Sequence, residues 1–177
     1  ARFYGFPYRS SNTNASNSID AQAIYESGMS LWATIMSHTN LVNHAAGWLE
    51  GGLTASFEKL IIDAEMLQTI SESLKPIEVN AYNLGVETIE SVGPGGHFFD
   101  TDQTMKHYST EFYTPMISNW ENFENWEKNG SITTLERANK TWKTLLKQYE
   151  QPALDPSINE ALTAFVVKRK EEINNSR

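Results

Sequence analysis

The amino-acid sequence predicts an α/β fold: strand, helix, strand, helix in the first 76 residues, then a helix-rich remainder. Three observations predict it. Two short stretches, residues 3–9 and 41–49, are extended in character. Each is followed by a polar or glycine-broken loop and then by an amphipathic helical stripe. Beyond Pro76 the helical signals continue without another strand. A βαβα order is the unit of a parallel sheet or of an α/β barrel.

The elements follow in order. Residues 3–9, FYGFPYR, are aromatic-rich, and Pro7 restricts them to an edge or the end of a strand. Residues 10–18, SSNTNASNS, hold no large apolar side chain and read as a loop. A long polar loop after a strand is a candidate site loop. Ser18 is the expected helix N-cap. Behind it, Ile24, Gly28, Leu31 and Ile35 recur at spacings of 4, 3 and 4, predicting a helix to about His38. Residues 41–49 read as a second, largely buried strand that Gly51 and Gly52 break. A second helix starts at Thr54 or Ser56, carries Leu60, Ala64, Leu67 and Leu74 on one face, and ends at Lys75-Pro76.

Residues 80–92 predict a helix stopped by Gly93-Pro94-Gly95-Gly96. Residues 101–112 predict another, with Met105, Tyr108 and Phe112 on one face. An acidic aromatic segment, Trp120 to Trp126, ends at Gly130. Its aromatics are expected to pack on the core while Glu121, Glu124 and Glu127 face water; docking a partner is the other use. Thr133 and Glu136 form a capping box for a helix reaching Pro152. Asp155-Pro156 supplies an N-cap and N1 pair for a last helix, with Ile158, Leu162, Phe165 and Val166 inward.

Two strands do not make a stable sheet alone. A full α/β barrel uses eight strands and ~250 residues. With 177 residues and Ala1 in place of an initiating Met, the chain reads as the end of something longer.

Composition narrows the function. The chain is 40% apolar, 20% charged and 11% aromatic, which fits a folded globular protein. A formal charge of −8 disfavours nonspecific binding to nucleic acid or anionic membrane and suits a cationic ligand. No apolar run reaches the ~18 residues of a membrane span. No signal peptide is visible, and a chain without cysteine has neither disulfides nor thiolate metal sites, so the expected compartment is the cytoplasm.

Three stretches carry candidate chemistry. In VNHAAGWLEGG, residues 42–52, strand alternation puts His44, Trp48 and Glu50 on one side, near the C-terminal end where α/β folds build sites. Histidine and glutamate bind or exchange protons, and tryptophan offers a face to a cation. The same residues also serve a plain core and a helix cap. In the first loop, Arg9 suits a carboxylate, while Asn12, Asn14 and Gln22 suit orientation of polar groups; a solvated loop is the other reading. GPGGHF, residues 93–98, lacks dinucleotide spacing and reads as a chain reversal with a structural His97. His38 and His107 fall on predicted helices without neighbouring ligands, and no metal-binding motif is present.

The stretches DAQAIYES, HAAGWLEGGLTASFEKLIIDAEML, VGPGGHFFDTDQTMKHYSTEFYTP, ERANKTWKTLLKQYE and PALDPSINEALTAFVVKRK resemble the C-terminal part of the trimethylamine:corrinoid methyltransferase family. The resemblance covers essentially the whole chain. It implies the C-terminal portion of a TIM (β/α)8 barrel, with residues 1–76 as the last βα units and 77–177 as a helical region of the same domain. It implies transfer of a methyl group from a methylated amine to the cob(I)alamin of a separate corrinoid protein, with no cofactor bound tightly to this chain itself. Archetypal members carry pyrrolysine near the polar loop, where this sequence has only standard residues. That implies the non-pyrrolysine branch, some of whose members demethylate quaternary amines such as glycine betaine.

A quaternary ammonium has no proton to donate and is best held by aromatic faces and a carboxylate. Trp48, Tyr8 and Glu50 have those chemistries; His44 and Arg9 suit a betaine carboxylate, and Asn12, Asn14 and Gln22 line the adjacent loop. The leaving amine is neutral, so no general acid is required, and positioning dominates. The expected partners are a corrinoid protein and further copies of the chain, through exposed strand edges. The alternatives are a noncatalytic helical docking module and a betaine-binding relative without turnover.

Overall fold

Two three-residue strands pair in parallel at the start of the molecule. In the computed structural model, which describes residues 1–176, β1 (Arg9–Ser11) runs beside β2 (Leu41–Asn43) with Ser10 opposite Val42. The crossover between them is α1 (Ala21–Met36), as a parallel connection requires. The first strand is shorter and later than residues 3–9. Arg2–Tyr4 instead forms a 3-10 turn closed by Gly5 in the left-handed region. Pro7 has no N–H for a ladder, so pairing begins only beyond it.

Helix α1 is capped by Asp20, not Ser18. The Asp20 carboxylate accepts from the N–H groups of Gln22 and Ala23, and Ser18 donates its hydroxyl to that carboxylate at 2.7 Å. Those bonds hold the Asp20 carboxyl below its ordinary pKa, the Ser18 hydroxyl contributing most. The buried face of α1 is Ala23, Ser27, Leu31 and Thr34, one residue out of step with the expected stripe except at Leu31. Small and polar residues are inside because β1 and the next helix approach closely. Thr34 donates to Ser10 on β1 at 3.0 Å.

The stretch 41–49 is two strands rather than one. His44 takes φ 50 and ends β2. The chain resumes as β3 (Trp48–Leu49), which pairs antiparallel with β4 (Thr54–Ala55) around the tight turn Glu50–Gly52. Strand alternation therefore does not relate His44 to Trp48 and Glu50. Gly51 and Gly52 do break the chain as expected, at φ 64 and 90.

Helix α2 (Phe57–Ser73) is capped by Ser56, which accepts from the Lys59 N–H. Its buried residues are Lys59, Ile61, Asp63, Glu65 and Ile70, whereas Leu60 and Leu74 are exposed. Ile61 joins Ile117 and Ala138 in a small apolar core, against which Ile62 and Trp142 pack.

The expected helix at 80–92 is split by Gly85, at φ 64, into α3 (Ala81–Leu84) and α4 (Val86–Val92). The one at 101–112 is only α5 (Asp102–His107), capped by Thr101; Met105, Tyr108 and Phe112 are exposed. Gly93 and Gly95, both at positive φ, make the chain reversal. His97 is exposed beside Asp100, and His107 bonds Glu111 at 2.9 Å. Helix α6 (Phe123–Lys128) leaves Trp120 and Phe123 exposed, contrary to their expected packing, while the half-buried Trp126 donates to the Ile132 carbonyl. Helix α7 (Thr134–Gln148) opens on the predicted capping box, Thr133 and Glu136 bonding each other's N–H groups.

The chain divides into two compact units, Ala1–Thr144 and Leu145–Arg177. The second is essentially α8 (Pro156–Asn175), with Asp155 as N-cap and Pro156 at its first turn, as expected. Its Ile158, Leu162, Phe165 and Val166 are exposed rather than inward. Among the described residues no helix is long and apolar enough to cross a membrane.

Candidate functional site

Each parallel strand is followed by a loop, and the two loops are tied together at the C-terminal end of the pair. The Asn12 N–H donates to the Asn43 carbonyl, and the Asn12 side chain donates to the Ala45 carbonyl at 3.0 Å. The Glu50 N–H donates to the Ser16 carbonyl at 2.9 Å, and the Gly51 N–H donates to the Asn14 carbonyl at 2.7 Å. Functional groups concentrate at this end of parallel strands because side chains and loops from neighbouring strands converge there.

The first loop is not solvated. Asn12, Asn14 and Ser16 are buried. The Asn12 side-chain oxygen is buried without a hydrogen-bond partner among the described residues. Glu26, on α1, accepts from the Ala15 and Ser16 N–H groups, and Gln22 donates to its other oxygen. These bonds, the one from Gln22 foremost, hold the Glu26 carboxyl below its ordinary pKa. Gln22 thus acts on the loop through Glu26.

The second loop carries the exposed chemistry. His44 and Trp48 meet ring to ring, centroids 5.2 Å apart and planes at 87°. His44 and Glu50 both hold positive φ, at 50 and 53. Non-glycine residues pay an energetic penalty there, and such strain collects at functional sites. The Glu50 carboxylate accepts from the Thr54 hydroxyl at 2.6 Å. The structure therefore brings Asn12, Asn14, His44, Trp48 and Glu50 into two interlocked loops. Tyr8 and Arg9 stand at the opposite, N-terminal end of β1, where Tyr8 borders a cavity with Arg2, His38 and Asn40.

Beneath the loops lies a cluster that the sequence reading missed. The Lys59 ammonium sits 2.6 Å from both oxygens of Asp63 and 2.7 Å from the Ser27 hydroxyl. Ser27 lies 3.1 Å from the Asn14 side-chain oxygen. All four side chains are fully buried. Lys59 and Asp63 are four residues apart on α2, a spacing that looks like a surface pair. The one available signal was the unbroken apolar flank of LIID around that pair.

A separate open cleft of about 430 Å³ lies between Ile24, Ile62, Met66, Ile117 and Leu135; none of the predicted site residues line it.

Comparison with known proteins decides the family. A family model described as "Trimethylamine methyltransferase (MTTB)" matches residues 1–174. The chain belongs to that family. It is 40% identical over 174 residues to glycine betaine methyltransferase of Desulfitobacterium hafniense (strain Y51), covering 98% of this chain and 36% of that protein. It is 31% identical over 171 residues to trimethylamine methyltransferase MttB2 of Methanosarcina mazei, covering 95% of this chain and 34% of that protein. Trimethylamine methyltransferase MttB of D. hafniense (strain DCB-2) is 28% identical over 178 residues, covering 100% and 36%. The chain spans about a third of the length of these curated relatives. Membership of the MTTB family puts methyl transfer from a methylated amine on record for its relatives, and the interlocked loops are the part of this chain with exposed groups suited to such a substrate.

Proposed function

We propose that the protein carrying this chain transfers a methyl group from a quaternary amine, such as a betaine, to the cob(I)alamin of a corrinoid protein in the cytoplasm. The carrying observation is the rim at the end of the parallel strands, where His44 and Trp48 stand together on a strained loop. The relative at 40% identity, named for glycine betaine, supports the choice of a quaternary substrate, as does a sequence with only standard residues in the loop. We assign residues 1–76 to the last βα units of a TIM (β/α)8 barrel and 77–177 to a helical region of the same domain. The parallel pairing of β1 and β2, each followed by a helix, supports that assignment.

In this reading Trp48 gives its indole face to the trimethylammonium. Glu50 supplies a compensating negative charge, and His44 a hydrogen bond to the substrate carboxylate. Asn12 and Asn14 shape the wall from inside the first loop. Tyr8, Arg9 and Gln22 belong to the same proposed set, the first two approaching from the far end of β1. The rim is open, His44 and Glu50 being exposed, which suits an acceptor presented from outside by a second protein. The corrin, when docked, supplies the nucleophilic cobalt that accepts the methyl. This chain's part is to orient the substrate, because a departing neutral amine needs no proton.

The test is to mix the purified protein with its corrinoid partner and a panel of quaternary amines. Methylation of the corrinoid by at least one of them is expected, and none would end the reading. A Trp48→Ala variant with unchanged affinity for the active amine would remove the cation-face role.

A second reading, a helical docking module, is favoured by Trp120 and Phe123, 73% and 65% exposed beside Glu121 and Glu124. Loss of corrinoid-protein binding on replacing both aromatics, with changes at the rim silent, would establish it. The same exposed side chains suit assembly of further copies of the chain.

A further inference from the structure

The buried cluster lies under the two loops and reaches each of them. The Gly47 N–H donates to the second Asp63 oxygen at 2.9 Å, and the Gly47 carbonyl accepts from the Ser56 N–H at 2.9 Å. Gly47 is thus pinned to the first turns of α2 from both sides. At φ 87 only glycine is at ease, and an added Cβ would meet the Leu60 Cβ at 3.2 Å. Trp48 is its neighbour in the chain, and His44 lies three residues before it.

The cluster reaches the other loop by a directed chain. Lys59 occupies both Asp63 oxygens, so the single Ser27 proton is free for the Asn14 oxygen. The Asn14 amide then donates to the Ala23 carbonyl, and the Asn14 carbonyl receives the Gly51 N–H. One buried ion pair therefore bears on Gly47, Asn14 and Gly51, which bracket Trp48 and Glu50. A buried pair gains little net stability over well-packed apolar side chains. Its directed bonds fix geometry instead.

We propose that Lys59 and Asp63 are positioning residues that set the place of Trp48 and His44 for substrate. The functional consequence rests on the reading of the rim given above. The positioning itself does not, and the two are separable by experiment.

The decisive variant is the double replacement Lys59→Met with Asp63→Leu, which removes both charges together and leaves none buried alone. Amide hydrogen exchange at Gly47, the indole N–H resonance of Trp48 and the affinity for added glycine betaine are read on the whole protein. The expected result is a folded protein in which Gly47 exchange accelerates ~10-fold or more. The Trp48 resonance should shift as the His44 ring moves away, and betaine affinity should fall ~10-fold. Unchanged Gly47 exchange and Trp48 resonance overturn the proposal. A displaced loop with unchanged betaine affinity overturns its functional half, leaving a purely structural pair.

If the unaltered protein binds no betaine, the substrate reading fails, and Gly47 and Trp48 still decide whether the pair positions the loop. If the double variant does not fold, Ser27→Ala cuts only the link to Asn14. Exchange at Gly51 should then accelerate while Gly47 stays protected. Protection retained at both overturns the linkage.

Discussion

Helix α2 buries a lysine and an aspartate, while helix α8 leaves a phenylalanine and several aliphatic side chains exposed. Both carry apolar residues at helical spacing. The difference lies in what each meets. Around α2, Ser27, Gly47 and Asn14 offer a partner for each polar atom of the pair. Around α8, within its own unit, no element covers the apolar face. Periodicity says which face is able to pack; it does not say what stands opposite.

The sharpest way to break this comparison is to remove one half of the pair on α2. Asp63→Ala leaves Lys59 buried without its counter-charge and Gly47 without an acceptor. A loss of ~3–5 kcal/mol in urea-unfolding free energy is expected. The double apolar replacement should recover most of it. A single variant losing less than ~1 kcal/mol would mean that water already reaches the cluster.

A second carboxylate on α2 tests whether burial elsewhere in the unit works the same way. Glu65 accepts from the Ile117 and Ser118 N–H groups and from the Ser118 hydroxyl. It thereby fastens the segment that carries Ile117 into the core. Glu65→Gln turns one acceptor into a donor facing an N–H, so a loss of ~2 kcal/mol is expected by the same unfolding measurement.

These interactions explain how much the sequence told. Helix starts were legible where a short polar side chain caps its own helix: Ser56, the Thr133–Glu136 box and Asp155-Pro156. The glycine break at 51–52 was legible for the same local reason. The turn at His44 was not, because nothing in VNHAAGW favours a left-handed residue at that position. It is held there by the surrounding loop contacts. Ser27 and Thr34 were invisible as interior residues because their partners lie at Asn14, Asp63 and Ser10, far away in sequence. The rim was legible as residue types and as the end of a strand. Its support from below required the fold.

A smaller, pH-dependent effect tests the junction of α2 with α7. The Glu58 carboxylate accepts from Asn139 at 2.6 Å and from the Trp142 indole at 2.8 Å. Those two bonds pull its pKa from 4.5 down to about 2. A folded-state pKa below the unfolded one stabilises the protein fully above pH 4.5, and that contribution disappears as pH falls through about 2. Solvent at this half-buried site reduces it to ~1 kcal/mol. In Glu58→Gln the difference from the unaltered protein should be largest near neutrality and vanish toward the acid end. A difference constant with pH would place the effect in packing against Trp142.

The smallest effect is expected on α8, and it bears on the other side of the comparison. Phe165 is 64% exposed, so its ring has already kept most of its contact with water. Phe165→Ser should then change unfolding free energy by no more than ~0.5 kcal/mol, as for an ordinary surface site. The same change at a covered site would cost several times more, because a large apolar side chain would leave its contacts. A loss above ~2 kcal/mol that grows with protein concentration would mean that another copy covers this face, because only association makes stability depend on concentration. The same loss independent of concentration would mean that α8 packs within its own chain, and the contrast with α2 would then vanish.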